Sequence, residues 1–380
     1  MNANPADKKI VIILGAGSTY ADADNVPEYE KPPLNNKFFA NTQSSLKQSR
    51  SDSKESERLL ENIKIYFLRE HSIDIFSDDD DSLEKVMSKL YLDVHTSSKT
   101  AHSFPVFRDF LTLFYDRLGE TTNNMTIDHS KLFYRIVSNY IRNGINPDNL
   151  IIISFNYDIF AEKILATLAR SFFNPSLTIF SFRYCYKLNL ELNDFTQPDH
   201  ISDGIFPIYP NDQKSGGITF LKLHGSLNWY SYYHNDKIDL ADMFNPNRSM
   251  KVSREEKIRA TKLKYRSSIE PRKTLSTLPV IVPPVPNKSE IYHQKILDLW
   301  IVASVALREA DELLIYGYSC PPLDKDSRSL LKESLKVNKK IQKISVIDTD
   351  PTIFDHYRGL IDININYYHD ANSFLEESGG

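Results

Sequence analysis

The chain has 380 residues, 41% hydrophobic and 12% aromatic, enough apolar material for one large domain with insertions or for two domains. A formal charge of −4 gives no general attraction to nucleic acid or anionic membrane, and two cysteines, Cys185 and Cys320, cannot build a disulfide framework or a four-cysteine zinc site. The N-terminal MNANPADKK has no apolar signal core, and no apolar run approaches the ~20 residues of a membrane span, so a soluble cytoplasmic protein is expected.

The first predicted strand is Ile10 to Leu14, followed by the turn Gly15-Ala16-Gly17 and a loop through Lys31-Pro32-Pro33-Leu34. Residues 41–145 hold no strand pattern and read as an all-helical insertion, with helices over Glu57 to Arg69, Ser82 to Tyr91, Phe104 to Leu118 and His129 to Arg142. In the last of these, Leu132, Phe133, Ile136, Val137, Tyr140 and Ile141 share one face, and Asn143-Gly144 supplies the stop. Gln43 to Glu57 and Ser77 to Ser82 read as solvated loops; the run Asp78 to Asp81 has no metal-ligand spacing.

Beyond the insertion come a strand over Leu150 to Ser154, a helix over Tyr157 to Phe172, a polar segment over 189–217 and a strand over Ile218 to Leu223. Residues 235–278 are rich in Lys and Arg and read as a lid or a partner surface. Strands over Pro279 to Val282, Glu312 to Tyr316, Ile344 to Ile347 and Ile363 to Ile365 then alternate with helices over Ser289 to Ala310, Lys325 to Leu335 and Pro351 to Leu360. Strands that are apolar throughout suit a sheet covered on both faces. The pattern predicts a single α/β domain over 1–380: a Rossmann-like, doubly wound, mostly parallel sheet with an inserted helical subdomain.

Five of these strands run directly into small or polar residues. Gly15, Ala16, Gly17 and Ser18 follow the first, and small residues there let backbone approach an anion. Ser154, Asn156 and Asp158 follow the second, His224-Gly225 follows the third, Gly317 and Ser319 follow the strand at 312–316, and Asp348 ends the strand at 344–347. Each cluster alone also reads as a tight turn, an Asx turn or a helix cap. Open α/β sheets bind ligands at the carboxyl ends of their strands, and five such ends in one sheet are harder to ascribe to turns than any one of them.

GAG with Ser18, the SFNYD of Ser154 to Asp158, the KLHGSLNW of Lys222 to Trp229, the GYS of Gly317 to Ser319 and the VID of Val346 to Asp348 together resemble the sirtuin-like NAD-binding superfamily. More narrowly they resemble its bacterial anti-phage defence branch, whose members hydrolyse NAD+. Two departures separate the chain from the protein-deacylating sirtuins: it lacks the cysteines of their zinc module, and Asn25 to Tyr29 stands where they carry Asp-Phe-Arg.

The resemblance implies NAD+ as substrate, no metal, and cleavage to nicotinamide and ADP-ribose. It implies that Asn156 orients the ribose or a water, that Asp158 supports the nicotinamide end, and that His224 contacts a ribose hydroxyl as base. Gly15, Ala16, Gly17 and Ser18, with Ser154 nearby, would hold the diphosphate; Gly317, Ser319 and Asp348 would hold the adenosine half; and Pro32 to Leu34 would cover the cofactor. It further implies regulation by homo-oligomerisation or by a partner such as an ATPase; the charge and hydropathy indicate no membrane role and no direct nucleic-acid binding, and no second effector domain is recognisable after Asp348. A zinc-free NAD-dependent protein deacylase and a non-catalytic NAD or ADP-ribose sensor are the alternatives.

Overall fold

Ile10, Val11, Ile12, Ile13 and Leu14 are all buried, and a strand this uniformly aliphatic is stable only with protein on both its faces. In the computed structural model it is β1, the central strand of the main sheet. The structure describes residues 4–32, 34, 38–48, 54–77, 83–96, 100–172, 183–184, 217–232, 238–240, 277–282, 294–322, 324–361 and 363–379. In chain order the elements are β1 (Ile10–Leu14), α1 (Ala16–Ala21), α2 (Phe38–Gln48), α3 (Lys54–His71), α4 (Leu83–Thr96), α5 (Thr100–Asn124), α6 (Leu132–Arg142), β2 (Leu150–Ser154), α7 (Phe160–Phe172), β3 (Arg183–Tyr184) and β4 (Thr219–Lys222). They continue with β5 (Gly225–Tyr232), β6 (Ile238–Leu240), β7 (Thr277–Ile281), α8 (Gln294–Glu309), β8 (Glu312–Tyr316), α9 (Lys325–Val337), β9 (Lys343–Ile347), α10 (Thr352–Arg358), β10 (Ile365–Tyr368) and α11 (Ala371–Glu377).

Seven strands form one sheet in the order β10-β9-β8-β1-β2-β4-β3, with every pairing parallel. Ile12 stands opposite Ile152 of β2 and Leu314 of β8, so the three central strands share one register. From β1 the chain builds outward through β2 to β3 and β4, then returns to lay β8, β9 and β10 on the other side. The reversal falls between β1 and β8, the switch point at which a doubly wound sheet opens a crevice.

Helix α6 packs on the sheet: Phe133, Ile136 and Val137 belong to the same buried cluster as β1, β2, β8 and β9. It lies inside the range 41–145 expected for the insertion but serves as the crossover between β1 and β2. Lys131, at its N-cap, contributes no side-chain cap; instead Asp22, from the end of α1, accepts from Leu132 N–H (2.5 Å) and Phe133 N–H (3.0 Å). Helices α2 to α5 enclose a second core, in which Phe38, Phe39, Phe110 and Phe114 pack ring on ring.

Three expectations need correction. Gln43 to Glu57 is not one loop: residues to Gln48 belong to α2 and those from Lys54 to α3, because Phe38, Phe39, Thr42 and Ser45 form a buried face too polar to read as amphipathic. The stretch after Gly17 does not leave directly as a loop, since α1 continues to Ala21. The strand near Pro279 to Val282 lies outside the parallel sheet, as β7 of an antiparallel sheet ordered β6-β5-β7, because a short apolar run looks the same in either setting. Pro33, Asp78 to Asp81, Cys185, most of 189–217 and most of 235–278 lie outside the described residues. Among the described residues no helix is long and apolar enough to cross a membrane.

Candidate active site

The strands β1, β2, β4, β8 and β9 are parallel neighbours, so the five clusters that follow them line one rim of the sheet. At the switch point two glycine turns nest against each other. Gly15 N–H donates to Tyr316 O (3.1 Å), Gly17 N–H to Gly317 O (2.9 Å) and Gly317 N–H to Ile347 O (2.9 Å). A Cβ on Gly15 would stand 2.7 Å from Tyr318 Cβ, and one on Gly317 would stand 2.8 Å from Gly17 Cα. The glycines are thus required by backbone lying on backbone.

Ser18 donates to Gly15 O through both its N–H (3.0 Å) and its hydroxyl (2.7 Å). The amides of Gly15, Gly17 and Ser18 are therefore already committed to carbonyls, while Ala16, the first residue of α1, is exposed.

On the other side of β1, Asn156 reaches into this turn. Its Nδ2 donates to Gly15 O (2.9 Å) and Thr19 Oγ1 (3.2 Å) and lies 3.5 Å from Ser18 Oγ. Thr19 donates in turn to Asp158 Oδ2 (3.1 Å), and Asp158 Oδ1 accepts Phe160 N–H (2.9 Å) at the start of α7. Ser154, the last residue of β2, accepts Asn156 N–H on its hydroxyl (3.1 Å). Asp158 is thus both a helix cap and a member of a buried Asn156–Thr19–Asp158 network.

Beneath this segment lies Lys222, whose side chain is 0% exposed. Its ammonium donates to the carbonyl of Asp158, to that of Tyr157 (3.5 Å) and to Glu162 Oε1 (2.9 Å), and Glu162 on α7 is also 0% exposed. Burial pushes the Glu162 carboxyl upward, against the pull of Lys222. The charge pair clamps the backbone of SFNYD between β4 and α7.

His224 occupies the two-residue turn between β4 and β5. Its ring is enclosed by Phe155 (5.1 Å between centroids), Tyr157 (6.0 Å) and Trp300 (6.2 Å). Its carbonyl accepts Val282 N–H (2.9 Å), and Trp300 Nε1–H binds the neighbouring Leu223 carbonyl (3.1 Å). Tyr157 also stacks edge-on against Phe114 of the helical core (5.4 Å), so one side chain touches both that core and His224.

At the far end of the rim, Asp348 accepts Asp350 N–H (3.0 Å) in a turn, and burial pushes its carboxyl upward. Ser319 is exposed. The structure therefore joins Gly15, Ser18, Ser154 and Asn156 by hydrogen bonds, adds Asp158 through Thr19, pairs Gly17 with Gly317, and links His224 through the Phe155 ring. Sequence reasoning gave no role to Thr19, Glu162 or Lys222; a lysine inside the apolar run Phe220 to Leu223 was the available signal.

No family model and no curated protein matches the chain. Among solved structures it is similar to a Sir2 homolog in complex with NAD at 13% identity, covering 98% of this chain and 89% of that one with a TM-score of 0.40. It is also similar to Sir2Tm bound to a propionylated peptide, at 12% identity over 98% of this chain and 94% of that one with a TM-score of 0.38. A third is Sir2 bound to acetylated peptide, at 12% identity over 99% of this chain and 95% of that one, again with a TM-score of 0.38. At such identity and TM-score the likeness says nothing of activity, and the Rossmann-like fold rests on the parallel order of the sheet itself.

Proposed function

We propose that the chain is an NAD+ glycohydrolase: water attacks the anomeric carbon of the nicotinamide ribose, the N-glycosidic bond breaks, and nicotinamide, ADP-ribose and a proton are released. The observation that carries this reading is the convergence of the glycine turn, Asn156 with Thr19 and Asp158, and His224 at the carboxyl edge of the sheet beside its switch point. The pyridinium becomes neutral as it leaves, so the protein has mainly to hold an oxocarbenium-like ribose and place a water.

Asn156 is assigned to that water or the ribose: its nitrogen is held by Gly15 and Thr19, which fixes the carboxamide plane and directs Oδ1. Asp158 supports the nicotinamide end and His224 takes the proton. Gly15, Ala16, Gly17, Ser18 and Ser154 line the diphosphate path, and Gly317, Ser319 and Asp348 the adenosine half. Constant hydrolysis of NAD+ would be lethal, so the activity is read as the effector of an anti-phage defence system. It would be held off until homo-oligomerisation or a partner, such as an ATPase, switches it on.

Purified protein, alone and co-purified with the products of neighbouring genes, is assayed for NAD+ loss beside Asn156→Ala and His224→Ala. The expected result is a loss of at least ~100-fold in each variant. Undiminished turnover in both would reject the assignment. Nicotinamide release that depends on an acylated peptide would favour a deacylase, and NAD+ binding without turnover under every trigger a sensor.

A further inference from the structure

His224 is a turn residue with a buried imidazole, and three aromatic rings fix its plane: Phe155 and Tyr157 from the connection between β2 and α7, and Trp300 from α8. Its Nε2 lies 3.5 Å from Asp324 Oδ2, a carboxylate that is itself buried. Asp324 is held from two further directions. As the N-cap of α9 it accepts Ser327 N–H on Oδ1 (3.3 Å), and on Oδ2 it accepts the hydroxyl of Tyr318 (3.2 Å). Tyr318 stacks flat on Phe155 (4.3 Å, 14°), the same ring that meets His224 edge-on, so carboxylate and imidazole are positioned by one shared aromatic column.

We infer that Asp324 is a positioning residue for His224. Its carboxylate selects the imidazole tautomer with the proton on Nε2, leaves Nδ1 as the basic nitrogen, and stabilises the ring when Nδ1 takes a proton. The 3.5 Å separation is that of a neutral ring, and a charged imidazolium would draw the carboxylate closer. The role in NAD+ cleavage rests on the function proposed above; the Asp324–His224 pairing does not.

Among the described residues, the tyrosines that face the pair bring no charge to it. Tyr157 faces His224 and Tyr318 faces Asp324, and burial holds both hydroxyls well above their ordinary range, hence neutral. Cys320, in the loop between β8 and α9, has its thiol pushed up to about 12. Arg328 of α9 donates to the Cys320 carbonyl (3.2 Å), Glu84 of α4 acts on Tyr157, and α8 contributes the neutral Trp300.

The test is Asp324→Asn, which keeps an oxygen for the Ser327 N–H and a partner for Tyr318 while removing the charge. Histidine-selective 15N labelling of the full chain, with long-range 1H–15N spectra recorded across pH, reports the tautomer and proton affinity of His224. The unsubstituted protein is expected to show the Nε2–H tautomer, and the variant a proton affinity about tenfold lower or more. An Nδ1–H tautomer in the unsubstituted protein, which needs no variant to fold, would overturn the inference, as would equal affinities in the two proteins. In NAD+ hydrolysis the variant should lower kcat about 10- to 100-fold with little change in KM. If the spectra behave as expected while no trigger elicits NAD+ loss, the pairing stands and the proposed reaction fails.

Discussion

Gly317 rests on Gly17 so closely that the first atom of any side chain on Gly317 would lie 2.8 Å from Gly17 Cα, and nearer still to Ser18 N. This contact seals the switch point, since Gly17 N–H binds Gly317 O (2.9 Å) across it and Gly317 N–H binds Ile347 O (2.9 Å) on its far side. Gly317 also has φ +61°, in the left-handed region that costs an L-residue about 1 kcal/mol or more.

Gly317→Ala should therefore be severely destabilising, by about 3 kcal/mol or more, because the atoms it would meet are backbone and cannot swing away. Urea unfolding measures the loss. A variant within ~1 kcal/mol of the parent would mean that the turns separate easily, and would return these glycines to a purely ligand-facing role.

Asp22 predicts a pH dependence with an unusual sign. Burial pushes its carboxyl from 3.8 up to about 6, although the amides of Leu132 and Phe133 pull the other way. The folded chain then holds a proton that the unfolded chain has released, so this group makes the protein less stable as pH rises from about 4 to about 6. The displacement corresponds to about 3 kcal/mol. Asp22→Asn has no such titration, and its stability relative to the parent should rise by up to that amount between pH 4 and pH 7. A difference that stays flat across this window in urea titrations would contradict the shift.

The frame of the fold was readable because aliphatic runs such as Ile10 to Leu14 and Glu312 to Tyr316 recur in alternation with helical patterns, as the strands of a covered parallel sheet do. The site was readable as positions more than as contacts. Asn156, Asp158 and Gly317 could be placed at strand ends, but nothing in their spacing shows that Thr19 joins the first two, or that Gly15 and Gly17 answer to Gly317. Those relations cross about 140 to 300 residues of chain and exist only once β1 lies between β2 and β8. The edges of the helical unit were obscure for a local reason: the inward face of α2 contains Thr42 and Ser45, and the Thr42 hydroxyl satisfies itself on Phe38 O (2.7 Å).

Cys320 is buried, sits at φ +48°, and has its thiol pushed up to about 12. Reaction with alkylating agents needs the thiolate, whose fraction at pH 8 is lower by about a thousandfold than for an ordinary cysteine. Iodoacetamide labelling of native protein, followed by mass spectrometry of the Cys320 peptide, should show little modification until denaturant is added. Rapid native labelling would show that the loop between β8 and α9 opens to solvent.

Lys222 and Glu162 provide the sharpest separation of stability from specificity. Removing one partner of a fully buried pair leaves the other charge without compensation and costs about 3–5 kcal/mol, whereas removing both in favour of apolar side chains is often nearly neutral. Lys222→Met should thus be strongly destabilising, more so at pH 8 than at pH 5, because a protonated Glu162 no longer needs the ammonium. The double variant Lys222→Met, Glu162→Leu should recover most of the loss in urea unfolding. It should still lack the donor that holds the Tyr157 and Asp158 carbonyls, so the segment bearing Asn156 and Asp158 should exchange its amide hydrogens faster than in the parent at matched global stability. Equal exchange there would show that the apolar packing of β2 and α7 alone fixes the segment, and that Lys222 serves only the stability of the fold.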